Sequence, residues 1–241
     1  LFRLILVGIL VSYLPQHARI IMRRSSEGLS PWFVLLGTTS GTSAIANIIL
    51  LPTSRVDVQC CRVNSGFSCA AGLLGIAQVG VQWSCFFAIM LLFLIFFPRD
   101  RQEPDPYSPF EHKAPRWQDA VVVVGVSVLH CLLVAFISLI WFAYSPETLQ
   151  VWADLLGVCS AVLACIQYLP QIYTTWKLQA VYSLSIPMMC IQTPGSYVFA
   201  ASLAIRLGPA GWSAWGVYVI TGFLQGCLLV MAITFELRDR K

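Results

Sequence analysis

The sequence predicts an all-α polytopic membrane protein of seven transmembrane helices, arranged as two parallel three-helix bundles joined by a linker helix. Three observations carry this. The first is composition: 58% of the 241 residues are hydrophobic and 11% are charged, with a mean hydropathy of +0.76. A soluble domain carries about 25% charged residues, so this chain lacks the polar surface to fold in water. The second is a duplication. Tyr13-Leu14-Pro15-Gln16 returns 155 positions later as Tyr168-Leu169-Pro170-Gln171, and Leu29-Ser30 returns at the same offset as Leu184-Ser185. A tetrapeptide alone could be chance, but an identity followed in register by a matching turn reads as an internal repeat. The third is the distribution of basic residues over the connecting segments, which gives the repeats a common direction.

A membrane span needs about 20 mostly apolar residues. The first span runs from Leu1 to Met22 and ends at Arg23-Arg24; the second runs from Ser30 to Leu51, where Pro52 stops it. A polar loop with Arg55, Asp57 and Arg62 follows. The third span, Phe67 to Phe97, is long enough to be tilted or kinked. Residues 98–118 alternate prolines with charged residues and read as a hydrophilic loop without a fold of its own. Spans four to seven are Ala120 to Tyr144, Val151 to Trp176, Leu184 to Leu207 and Gly211 to Phe235. The domains are therefore a first repeat (1–97), the loop (98–118), a linker helix (119–145), a second repeat (146–237) and a basic tail (238–241). A chain that begins at Leu1 rather than Met also points to sequence missing before it.

The loops after spans one, three and five, with the C-terminus, hold eleven of the fifteen Lys and Arg residues; Arg3, Arg55, Arg62 and Arg206 fall on the other side. The positive-inside rule then puts the C-terminus in the cytosol and the N-terminus in the lumen or outside. Spans one and five lie four crossings apart and so run the same way. Without the fourth span the second copy would be inverted. Parallel repeats are a transporter design whose substrate site lies near mid-membrane between the halves.

Proline within a helix removes a backbone bond and costs about 3 kcal/mol in a water-exposed host. Pro15 and Pro170 would free the carbonyls of Val11 and Ile166 at equivalent places. They serve either as static kinks or as hinges, with Gln16 and Gln171 bonding the freed carbonyls or facing a cavity. Further polar and aromatic candidates for a substrate cavity are Tyr13, Asn47, Gln78, Gln82, Tyr168, Gln192 and Tyr197. Neutral amides and phenols suit a small polar or zwitterionic solute; each could equally serve as an interhelical hydrogen bond, worth about 0.6 kcal/mol in membranes. Ionisable residues at this depth are few, and His17 and His130 are the candidates for proton coupling. For His17, beside Arg19, a solvated role competes with coupling, and for His130 a neutral hydrogen-bonded one does.

Catalysis finds no footing: there is no phosphate loop, no nucleophile with a base and no metal-ligand spacing, so no cofactor or metal is expected. Of nine cysteines, six lie in apolar spans; Cys60, Cys61 and Cys69 share one loop, where a disulfide and free thiols are both open. The expected partners are a small-molecule substrate and the lipid bilayer, with no nucleic acid; a homo-oligomer stays open.

The two Tyr-Leu-Pro-Gln segments, with Ser26-Glu27-Gly28-Leu29-Ser30 and the small-residue run Gly37-Thr38-Thr39-Ser40-Gly41, resemble the PQ-loop repeat family. That family includes lysosomal and vacuolar amino-acid exporters of the cystinosin type, and its architecture is similar to that of the SWEET sugar transporters. The resemblance covers essentially the whole chain, with drift in the second copy at Lys177 to Tyr182. It implies alternating access with Pro15 and Pro170 as hinges, and hence amino-acid transport across a vacuolar or lysosome-like membrane. A sugar facilitator, or a non-transporting cargo receptor on the same fold, are the alternatives. One departure stands out. Proton-coupled members carry an Asp in the helix after the second Pro-Gln, where this chain reads Cys190-Ile191-Gln192-Thr193-Pro194-Gly195, and no Asp or Glu occurs from 155 to 235. Coupling through that carboxylate does not carry over.

Overall fold

The computed structural model describes residues 2–26, 29–61, 66–98, 116–178 and 186–239. Most of the predicted hydrophilic loop lies outside the described residues, as do some side chains within helices, Pro170 and Gln171 among them.

Every regular element among the described residues is helical. In order they are α1 (Phe2–Arg23), α2 (Pro31–Leu50), α3 (Pro52–Cys60), α4 (Gly66–Gly72), α5 (Leu74–Ile95), α6 (Trp117–Tyr144), α7 (Leu149–Leu178), α8 (Ile186–Leu207) and α9 (Trp212–Asp239), with single 3-10 turns before α7 and α9. Six of these are long and apolar enough to cross a membrane: α1, α2, α5, α6, α7 and α9. Helix α8 has 22 residues, with Gln192-Thr193-Pro194-Gly195-Ser196 at mid-length.

Two stretches differ from expectation. The polar loop after the second span contains α3, because Pro52 does not merely stop α2. It takes the first helical position of a new helix, where its missing N–H would be unpaired anyway. The long third span is two helices. Leu73 interrupts it between Gly72 and α5, and a disulfide from Cys61 to Cys69 ties the end of α3 to α4. The break was illegible because this stretch is apolar on all sides, and periodicity marks no boundary in such a run.

Each repeat packs in the same order. Helix α5 sits between α1 and α2, and α9 sits between α7 and α8. Linker α6 lies mainly along α2. Helix α2 is the hub, touching α5, α6 and α7, and the residues Gly37-Thr38-Thr39-Ser40 along it are all buried. Small side chains let three neighbours approach. Their hydroxyls turn back on their own helix: Thr38 donates to Val34 O (2.8 Å), Thr42 to Thr38 O (2.9 Å) and Ser43 to Thr39 O (3.1 Å). The main apolar core runs across both repeats, joining Ile48 and Leu51 of α2 to Leu156 of α7, Leu203 of α8 and Ala214 of α9. A second cluster, Val34, Phe93, Phe97 and Val123, seats α6 on the first repeat.

Candidate functional site

The two halves meet chiefly along α2 and α7, and polar side chains fasten this seam at three levels. Ser40 Oγ donates to the Ser160 carbonyl (2.9 Å) and lies 3.0 Å from its hydroxyl. Asn47, almost fully buried, donates from Nδ2 to Ala153 O (2.6 Å) on α7 and to Ser213 Oγ (2.9 Å) on α9. Gln167 Nε2 reaches Phe33 O at 3.4 Å. The Asn47 amide, a cavity candidate, uses both hydrogens to hold three helices together.

Beyond this seam, tyrosines converge from both repeats. Tyr13 of α1 packs edge-on against Phe86 of α5, with ring centroids 6.3 Å apart, and has the Gln82 side chain as a polar neighbour. Its phenol lies within electrostatic reach of Tyr168 on α7 and Tyr218 on α9. Tyr218 in turn packs edge-on against Phe199 of α8 at 4.4 Å. Four helices thus bring three phenols and one amide together, with no charged side chain among them. Phe86 can take its place because Gly37 lies beneath it; a Cβ there would sit 2.3 Å from the ring. Tyr168 also packs on the cluster of Met189, Leu228 and Ala232.

The other candidates separate from this group. Gln192 accepts from Gln225 Nε2 at 2.7 Å, an amide pair between α8 and α9. Gln78 is fully buried in α5. Tyr197 is substantially exposed on α8, its ring edge against Gly222. Pro15 is exposed and Gln16 half-buried, and α1 continues through both. The α7 backbone likewise stays helical through 170 and 171, whose side chains lie outside the described residues.

The histidines have different surroundings. His17 Nδ1 lies 2.8 Å from Tyr13 O and Nε2 lies 3.0 Å from Cys85 O, so the ring bridges α1 and α5. His130 is on the linker α6, and its Nδ1 finds no hydrogen-bond partner among the described residues. Among the described residues, no three His, Cys, Asp or Glu side chains converge as metal ligands would. Sequence reasoning missed the Ser40–Ser160 pair and Gln167.

At the end of the bundle that carries α3 and α4, one further contact joins the repeats. Arg206, at the end of α8, donates from Nη2 to Gly72 O and has Asp57 of α3 as its charged neighbour. Gly75 lies beside Leu203 and the Arg206 side chain.

The PQ loop repeat profile matches this chain twice, at residues 1–56 and 152–212. These segments hold the two Tyr-Leu-Pro-Gln copies with the helix that follows each, so the match falls on the duplication itself. The chain is also similar to a protein of the fission yeast Schizosaccharomyces pombe described as "Uncharacterized protein C4C5.03". The two are 30% identical over 246 residues, covering 98% of this chain and 80% of the yeast protein. The apolar helices, the doubled profile and this full-length likeness make the chain an integral membrane protein of the PQ-loop repeat family.

Proposed function

We propose that the protein is a secondary transporter of a small polar solute, with an amino acid as the first candidate, working by alternating access. The observation that carries this is the group Tyr13, Gln82, Tyr168 and Tyr218, drawn from both repeats and uncharged. Such a group offers hydrogen bonds and aromatic faces to a zwitterion while binding it loosely enough for release. Its origin in both repeats supports the reading, because parallel-repeat transporters bind their substrates between the halves. Helix α8 serves as the seventh crossing in this reading, with the C-terminus cytosolic, the N-terminus lumenal and a vacuolar or lysosome-like membrane as the site of action. Pro15 and Pro170 act as paired hinges.

The absence of any carboxylate from 155 to 235 favours a second reading, uncoupled facilitation of a sugar. Uptake into proteoliposomes with labelled amino acids and sugars, with and without a pH gradient, separates the two. Amino-acid flux lost in Pro15→Leu and in Pro170→Leu is the expected result. Sugar counterflow alone selects the facilitator. Folded protein that moves no solute overturns both and leaves a receptor on this fold.

A further inference from the structure

We infer that His17 is a proton-binding site, and that the bound proton ties α1 to α5 beside Pro15. Both ring nitrogens face backbone carbonyl oxygens, Tyr13 O at 2.8 Å and Cys85 O at 3.0 Å. A carbonyl can only accept. A neutral imidazole has one N–H and one lone pair, so either tautomer would hold a nitrogen lone pair against an oxygen lone pair at hydrogen-bonding distance. The imidazolium has two N–H donors and satisfies both carbonyls, and hydrogen bonds from an ionised donor are the stronger kind. The half-buried ring has little water with which to replace a lost partner.

The position gives the proton its consequence. One carbonyl belongs to the ring's own helix and the other to α5, so only the second holds two elements together. Pro15, two residues earlier, leaves Val11 O without its helical donor and weakens α1 at this level. When His17 gives its proton to water, one of the two bonds is lost. Keeping the local bond to Tyr13 releases α5 from α1 at the weak point.

Among the described residues of the helices packed on this ring there is no carboxylate. The titratable groups of α1 are Arg3, Tyr13, Arg19 and Arg23, α5 has Cys85, and α8 has Cys190, Tyr197 and Arg206. Tyr168 and Tyr218 reach the region only through Tyr13.

The protonation claim does not depend on the transporter reading, whereas its use as the coupling proton does. The test uses the full chain in lipid bilayers. His112→Gln with His130→Gln leaves His17 as the sole histidine of three. Solid-state NMR with ring 15N-histidine and 13C at the cysteine carbonyls reads protonation and the Cys85 contact together. Expected at low pH is a ring with both nitrogens protonated and a nitrogen-to-Cys85 contact; expected on raising pH is loss of one proton together with that contact. A singly protonated ring at every pH overturns the inference. So does a titration that leaves the contact intact. Where wild-type flux exists, His17→Gln should lose its response to a pH gradient while His130→Gln keeps it; the reverse pattern overturns the coupling role. Absent flux with an intact titration fails only the transporter reading.

Discussion

A parallel repeat should give two equivalent seams, α2 against α7 and α8 against α1, yet the two differ sharply. The first is continuous and polar-fastened, with Asn47, Ser40 and Gln167 all crossing it. The second is brief: α1 and α8 touch over a short stretch, and the repeats are joined on that side chiefly where α8 reaches Gly72 and Gly75. The same helix order thus yields one seam built like a core and another built like a clasp. What differs chemically is burial. Bonds of the first seam lie among buried residues, where an unmade bond has no water to replace it; Arg206 is half-exposed.

Wedging α9 off α7, where Asn47 of the first seam bonds to both, should have the largest effect. A Cβ at Gly157 would lie 2.6 Å from the Ser213 carbonyl and 3.0 Å from Asn47 Nδ2. The obstruction is backbone, so no rotamer relieves it, and Gly157→Ala should cost about 3 kcal/mol, the upper end for overpacking. Thermal unfolding in detergent should show a large drop in Tm, and an unchanged Tm would refute close α7–α9 packing.

Asn47→Leu comes next. It keeps the branched shape but removes both bonds of Nδ2, and at about 0.6 to 1.7 kcal/mol per membrane hydrogen bond the loss should be about 1 to 3 kcal/mol. If flux per folded molecule survives in this variant, Asn47 is structural. A loss of flux at unchanged stability would return it to the cavity.

These residues also show how far the sequence could be read. The duplication, the long helices and the family were legible because they rest on identity and on runs of apolar residues. Asn47 was legible as a polar residue at depth, but not its role. Its partners are a backbone carbonyl 106 residues away and a serine 166 away, and a carbonyl leaves no mark in a sequence. His17 was read beside Arg19, its chain neighbour, when its second contact is Cys85 O, 68 residues on. The break at Leu73 was hidden in an apolar run with no period to interrupt. Local signals carried the elements. The site depends on which helix faces which, and that is decided by packing.

Ser160→Ala should cost about 0.6 kcal/mol, and Ser40→Ala slightly more because its hydroxyl also donates to the Ser160 carbonyl. A double-mutant cycle on Tm should show coupling between the two, since they share one contact. Strict additivity would mean that the seam is not closed at this level.

The smallest effect on stability should come from the clasp. Arg206→Gln removes a half-exposed cation from Gly72 O and Asp57, and exposed charge pairs contribute about 0–1 kcal/mol, so Tm should hardly move. Its effect belongs to conformation. The Cys61–Cys69 disulfide ties the end of α3 to α4, whose end presents the Gly72 carbonyl, so the clasp has one anchored side and one side that travels with α8. Without the guanidinium, α8 should separate from α5 at this end more often. A cysteine placed at Gly75, where a Cβ would lie 3.5 Å from Leu203, should then react faster with a membrane-impermeant thiol reagent in Arg206→Gln than in the parent. Faster labelling with an unchanged Tm identifies a gate. Unchanged labelling would make Arg206 a surface contact and leave the second seam closed by apolar packing alone, through Gly75, Leu203 and Ile48.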